Sequence, residues 1–160
     1  MIDIRNAEFP KDAGEVNQLF REYADSLGVD LGFQNFDDEL TSLPGKYAPP
    51  GGRLLLAWKG DEVLGCIAMR PLQGTTCEMK RLYVRPQARG MQLGRKLAAR
   101  LCDEARIAGY ARICLDTLPS MAPAQSLYRS MGFEPIAPYV FNPIEGTRFL
   151  ALALDKAAAD

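Results

Sequence analysis

The sequence contains no histidine in 160 residues. Chemistry that depends on an imidazole, such as a serine or cysteine hydrolase with a histidine base, is therefore excluded. Cysteine is scarce as well: Cys66, Cys77, Cys102 and Cys114 are widely and unevenly spaced. They show none of the paired spacings of a zinc site, and there is no imidazole to complete one, so no metal is expected. These four read as small buried hydrophobes in a reducing compartment, none in a context that would activate it as a nucleophile. Neither charge is in excess. The 19 Lys and Arg against 20 Asp and Glu leave a net charge of −1, which argues against nucleic acid or a membrane surface as partner. No apolar run approaches the roughly 20 residues of a membrane helix. Met1-Ile2-Asp3-Ile4-Arg5 lacks the basic-then-apolar pattern of a signal peptide, so the expected location is the cytoplasm. No repeat, low-complexity tract or linker divides the chain, and residues 1–160 are expected to form a single domain.

What is present is concentrated between Glu78 and Leu101. Leu82, Tyr83 and Val84 favour a buried strand, and Pro86 stops the ladder because it has no N–H to donate. Leu93, Leu97, Leu101, Ala105 and Ala108 then recur at helical spacing, with Gly109 in position to end the helix. Between them, Arg89-Gly90-Met91-Gln92-Leu93-Gly94 leaves several backbone N–H groups free at a helix start. Free donors and the positive end of the helix dipole point the same way there, which suits a phosphate. The loop is not a Walker loop, because the Lys followed by Ser or Thr is missing. Nor is it a dinucleotide fingerprint, because the three-glycine spacing is absent. On the loop alone, a plain strand–loop–helix turn without ligand is the alternative.

The flanking pattern gives the remaining elements. Ile2 to Asn6 alternates as a short edge strand. Asp12 and Glu15 have capping-box spacing ahead of an apolar stripe of Val16, Leu19, Phe20, Tyr23 and Leu27, which Gly28 closes. Glycine and proline break up residues 28–52, with a short helix expected over 37–43. Arg53 to Trp58 and Glu62 to Arg70 flank the turn residues Lys59-Gly60-Asp61, and Gln73-Gly74 leads into the strand carrying Glu78. Arg112 to Asp116 is a fifth strand, parallel to 78–84 because a helix connects them. Ser120 is expected to cap a helix with Pro123 in its first turn, and Gly132 to end it. Phe133 onward and Thr147 to Leu154 supply two closing strands.

This element order resembles that of the GNAT superfamily of N-acetyltransferases over nearly the whole chain. The family's acyl-CoA loop runs arginine or glutamine, two residues, glycine, one residue, then glycine or alanine. Arg89 to Gly94 follow it, with Gln92 at the position of the first glycine. Ala124-Gln125-Ser126-Leu127-Tyr128-Arg129-Ser130-Met131-Gly132-Phe133 is similar to the family's second segment, with Met121 where an asparagine is common. The resemblance implies an α/β (α+β) fold, a mixed and mostly antiparallel sheet of about six or seven strands with helices on both faces. It also implies a splayed parallel pair at 78–84 and 112–116. Acetyl-CoA (coenzyme A) is the implied cofactor, its acetyl group passing directly to a primary amine of a small molecule or peptide.

The resemblance also implies roles. The backbone of Arg89, Gly90, Met91, Gln92, Leu93 and Gly94 would hold the pyrophosphate, with the guanidiniums of Arg89 and Arg95 adding charge-assisted contacts. Leu82, Tyr83 and Val84 would pair with the amides of the pantetheine arm. Tyr128 matches the family's general acid, although helix spacing alone would let it pack with Ala124, Leu127 and Met131. Glu78 lies six residues before Val84, on the same strand face by period-two alternation, and is the candidate base; pairing with Lys80 or Arg81 is the alternative. Phe33 and Phe36, beside Asp37, Asp38 and Glu39, are expected to line a site for a cationic amine unless that run is a solvated helix face. Tyr139 and Asn142 are further acceptor contacts. The acceptor's identity, a longer acyl donor and the oligomeric state, a homodimer included, stay open. A non-catalytic acyl-CoA sensor or interaction module is the rival, favoured by Gln92 and Met121 as Tyr128 and Glu78 favour the enzyme.

Overall fold

The computed structural model describes residues 1–28 and 35–154. The elements are β1 (Asp3–Asn6), α1 (Ala13–Leu27), α2 (Phe36–Thr41), β2 (Arg53–Lys59), β3 (Glu62–Gln73) and β4 (Thr76–Val84). They continue with α3 (Leu93–Ile107), β5 (Arg112–Thr117), α4 (Ala122–Ser130), β6 (Glu134–Pro135) and β7 (Arg148–Ala153). The strands make one seven-stranded sheet in the order β1-β2-β3-β4-β5-β7-β6. Every neighbouring pair is antiparallel except β4 and β5, which a helix joins.

Alternation along the strands sends apolar side chains to both faces, and each face is covered. Leu55, Ala57, Ile67, Met69 and Met79 pack with Leu97 and Leu101 of α3 and Tyr128 of α4. Leu54, Leu56, Cys66 and Ala68 point the other way, onto Val16, Leu19 and Phe20 of α1 and Phe36 and Leu40 of α2. Each such leucine contributes about 1.5–3 kcal/mol by leaving water. Leu93, Leu97, Leu101 and Ala105 therefore fix α3 along the sheet with its N-terminus beyond the end of β4.

Two local features of β4 position the functional groups. First, β4 and β5 pair only through Thr76–Arg112, Cys77–Ile113 and Glu78–Cys114. Past that point β4 runs on to Val84 and β5 to Thr117 without a ladder between them, so the sheet opens. Second, β4 carries a bulge where Cys66 faces Tyr83 and Ala68 faces Lys80, with Arg81 at φ 63 in the left-handed region. The bulge shifts the alternation: Met79, Leu82 and Val84 belong to the α3 side, and Tyr83 to the α1 side. Glu78 and Val84 consequently lie on opposite faces, against the expectation from uninterrupted alternation.

Two caps differ from expectation. The Asp12 side chain makes no capping bond to α1; its Oδ2 accepts the Glu8 N–H at 2.8 Å instead. The residue before α4 is Met121 rather than Ser120, again without a side-chain cap. Gly28 at φ 67 closes α1 as expected.

Candidate active site

The opening between β4 and β5 leads to the start of α3. Among the described residues, no backbone N–H from Gly90 to Arg95 finds a carbonyl; the first that does is Lys96, to Gln92 O at 3.1 Å. Gly90 has φ 89, which glycine adopts freely, whereas Gln92 has φ 56 and is one of three non-glycine residues with positive φ among those described. Four of the residues carrying these donors, Gly90, Gln92, Leu93 and Gly94, line a cleft of about 510 Å³ between β4, α1 and α4. Leu82, Tyr83, Val84, Arg89, Gly90, Gln92, Leu93 and Gly94 all form its walls. The cleft also takes in Tyr23, Ser26 and Leu27 of α1 and Ala124 and Leu127 of α4, to which the loop motif gives no pointer. Met91 and Arg95 are not among its walls. The Arg95 guanidinium donates to Ser130 Oγ at 2.6 Å. The unfilled donors, the basic Arg89 and the unpaired side of β4 fit a long, amide-containing diphosphate.

Adjoining the cleft through Tyr23, Leu82 and Met121 is a small polar cavity of about 30 Å³ in the gap of the sheet. Its walls include Lys80 and Arg81 from β4, Leu115 and Asp116 from β5 and Tyr128 from α4. Tyr128 is 4% exposed, and its ring packs on Phe133 with centroids 5.5 Å apart. Core therefore lies on one side of Tyr128 and the polar cavity on the other. Burial raises its pKa, so it is protonated at neutral pH. Burial, reinforced by Arg81, lowers the pKa of Lys80.

Arg81 anchors the bulge. Its Nε and Nη2 both reach the Glu39 carboxylate at 2.9 Å, and its guanidinium lies 5.2 Å from the Phe36 ring centroid and 5.7 Å from that of Tyr23. This corrects two expectations about α2. Phe36 is buried in the core beneath an arginine rather than lining an amine site, and Glu39 is committed to Arg81. Phe33 lies outside the described residues.

Glu78 is 1% exposed, and both its oxygens are engaged. Arg70 Nε donates to Oε1 at 3.0 Å and the Tyr139 hydroxyl to Oε2 at 2.7 Å. The expected alternative partners are Lys80 and Arg81; the observed partner is Arg70, across the hairpin. Direct proton removal by Glu78 would require one of these bonds to break. Tyr139 is thus tied to Glu78, while burial followed by the Glu78 charge raises its pKa. Asn142, in the same loop, donates to Asp116 Oδ2 at 3.2 Å. Both loop residues are thus bonded to carboxylates of β4 and β5 beside the gap. Asp116 itself escapes sequence reasoning: one aspartate in an apolar strand carries no motif, and only its place two residues past the last β4–β5 pair marks it.

Comparison with known proteins agrees with this geometry. The acetyltransferase (GNAT) family profile matches residues 15–133. An uncharacterized N-acetyltransferase of Schizosaccharomyces pombe is 42% identical over 159 residues, covering 97% of this chain and 96% of that one. Among solved structures, a GNAT-family acetyltransferase from Staphylococcus aureus superposes with a TM-score of 0.81 at 21% identity, over 97% of this chain and 100% of that one. The structure of yncA from Salmonella typhimurium with its cofactor acetyl-CoA gives 0.72 at 23% identity, over 97% and 95%. With a profile match along most of its length and a relative this similar from end to end, the chain belongs to the GNAT family of N-acetyltransferases, which draw their acetyl group from acetyl-CoA.

Proposed function

We propose that the protein transfers an acetyl group directly to a primary amine of a small molecule or peptide while both substrates are bound. The observation that carries this reading is the opening between β4 and β5. It has free backbone donors at one end and a polar cavity with a phenol at the other. Acetyl-CoA supplies an activated thioester there. The N–H groups from Gly90 to Gly94 and the Arg89 guanidinium would hold its pyrophosphate. The β5-facing backbone of Leu82, Tyr83 and Val84 would pair with the amides of its arm, and an N–H in this stretch would face the carbonyl oxygen as negative charge develops. A preorganised donor of that kind typically contributes a few kcal/mol.

Tyr128 holds a proton on its phenol oxygen for the departing sulfur, a role that its raised pKa suits because the group is protonated at neutral pH. Glu78 is assigned a positioning role: with both oxygens occupied, it fixes Arg70 and Tyr139 beside the acceptor side of the gap. None of the four buried cysteines takes part, since burial raises every thiol well above the range of a reactive thiolate. Reduced thiols of this kind also support a cytoplasmic site of action.

The test is thiol release from acetyl-CoA across a panel of amino acids, polyamines, aminoglycosides and peptides, with the acetylated product identified by mass. Release that depends on an amine supports the reading. Acetyl-CoA binding with no release for any amine would overturn it in favour of an acyl-CoA sensor.

A further inference from the structure

Glu39, Glu78 and Asp116 all belong to the side of the β4–β5 gap opposite α3, and they are not equally engaged. Glu39 gives both oxygens to Arg81. Glu78 gives one to Arg70 and the other to Tyr139. Asp116 accepts a single bond, from Asn142 Nδ2 to Oδ2 at 3.2 Å, so its Oδ1 has no hydrogen-bond donor among the described residues. Asp116 is also the one carboxylate in the wall of the cavity that holds Tyr128. It stands on β5 two residues beyond Cys114, where the ladder to β4 has ended, and it shares the side of β5 opposite Ile113 and Leu115. Alternation thus sets it on the face opposite α3, its place in the cavity wall puts it beside the gap, and the Asn142 bond holds its carboxylate in orientation.

We propose that Asp116 is the catalytic base: its free oxygen receives the acceptor's ammonium group and removes one proton from it. This rests on the transfer reaction proposed above and names the group that reading leaves unassigned. One proton of R–NH3+ passes to Asp116 Oδ1, leaving a lone pair on nitrogen. Nitrogen then bonds the acyl carbon as the carbon–sulfur bond breaks. Tyr128 gives its phenolic proton to sulfur and recovers one from the nitrogen, which still carries two. Asp116 later releases its proton to water, so the products are the amide, the thiol and one proton. The groups facing Asp116 are Lys80 and Arg81 of β4, Tyr23 of α1, Tyr128 of α4, and Tyr139 and Asn142 of the loop before β7. Among these, the phenols are proton donors at neutral pH, Arg81 is a cation and Asn142 an amide, so Asp116 is the one carboxylate of the set, with Lys80 the only nitrogen base facing it.

The test uses the full-length protein and the best amine from the panel, with kcat and kcat/KM followed against pH and acetyl-CoA binding followed by calorimetry. Asp116→Asn can still accept from Asn142, and its fold is checked by circular dichroism. We expect kcat to fall about 100-fold or more at neutral pH, in the range of a lost general base, with acetyl-CoA affinity within twofold of wild type. The variant's rate should then climb about tenfold per pH unit toward the amine's own pKa, because solvent supplies the neutral amine, while the wild-type profile levels off earlier. If Asp116→Asn fails to fold, Asp116→Ser carries the same expectation. A variant within threefold of wild type, or one lowered equally at every pH, would overturn the role of Asp116 and leave the transfer reaction standing. No thiol release by wild type with any amine would overturn both.

Discussion

Gln92 offers a quantitative test of how the donor loop is built. Its backbone has φ 56 and ψ 28 at the position just before α3, and its side chain is exposed and makes no hydrogen bond among the described residues. A left-handed conformation costs a residue with a Cβ about 1–2 kcal/mol, a cost that glycine escapes. Against this, glycine loses more freedom on folding, by about 0.4–1 kcal/mol. The difference predicts that Gln92→Gly stabilises the protein by about 0.5–1 kcal/mol. In a chain of this length that corresponds to roughly 1–4 °C in Tm. Gln92→Val should move the other way, because a left-handed φ that glutamine tolerates is a genuine outlier for a β-branched residue with a stiff χ1. Urea unfolding of the three proteins without cofactor measures the differences directly, with unchanged slopes as the check that only stability has moved. A Gln92→Gly variant less stable than wild type would refute the reasoning. It would mean that the loop does not hold residue 92 left-handed, and with that the alignment of its free donors would lose its explanation.

The site and the core carry further expectations. Tyr128→Phe keeps the ring against Phe133 and should lower kcat by about 10²–10⁴ while acetyl-CoA binding by calorimetry stays as in wild type; retained turnover would remove Tyr128 from the reaction. Glu78→Ala strands the Arg70 cation and the Tyr139 hydroxyl, and should destabilise by about 3 kcal/mol in urea unfolding, with Glu78→Gln clearly milder; a cost below about 1 kcal/mol would show that the pair is not enclosed as described. Burial pushes Cys66 and Cys77 up to about 12 and Cys102 and Cys114 to about 11, from an ordinary 9.0. Their contribution to stability is therefore complete below pH 9 and is lost as pH rises through 11 to 12, because the unfolded chain gives up thiol protons first. A lower urea midpoint at about pH 10.5 than at about pH 8, and no thiol reacting with Ellman's reagent at the lower pH until denaturant is added, would agree; prompt labelling of the native protein would not.

Much of this architecture is legible in the residues because it depends on periodicity. The stripe Leu93, Leu97, Leu101, Ala105 can only be a helix seated on the sheet, and Lys59-Gly60-Asp61 can only be a turn. The loop from Arg89 to Gly94 is then placed by its position between a strand and that helix. The misses cluster where one residue breaks a local rule. Arg81 takes a positive φ that nothing in its chemistry announces, and the resulting bulge makes simple alternation misplace Glu78. Asp12 has the spacing of a capping residue but bonds backward to Glu8, and the helix after β5 starts without a side-chain cap at all. Phe36 reads as a substrate contact because it precedes three acidic residues, yet one of those acids and the ring itself both serve to hold Arg81. Asp116 is invisible for the opposite reason: its significance lies in where two strands separate, and that depends on pairings distant in the chain.

The two cores on either side of the sheet have a consequence for how this protein can change over generations. On the proposed assignment, the side carrying α3 holds the half of the reaction common to all acetyl-CoA users, and drift there is penalised whatever amine is modified. Of the side carrying α1 and α2, the C-terminal end of α1 and Tyr83 reach the cleft, while α2 is absent from its walls. On the proposed assignment, α2 is then the element that selection for a new acceptor can rework with least disturbance to the cleft.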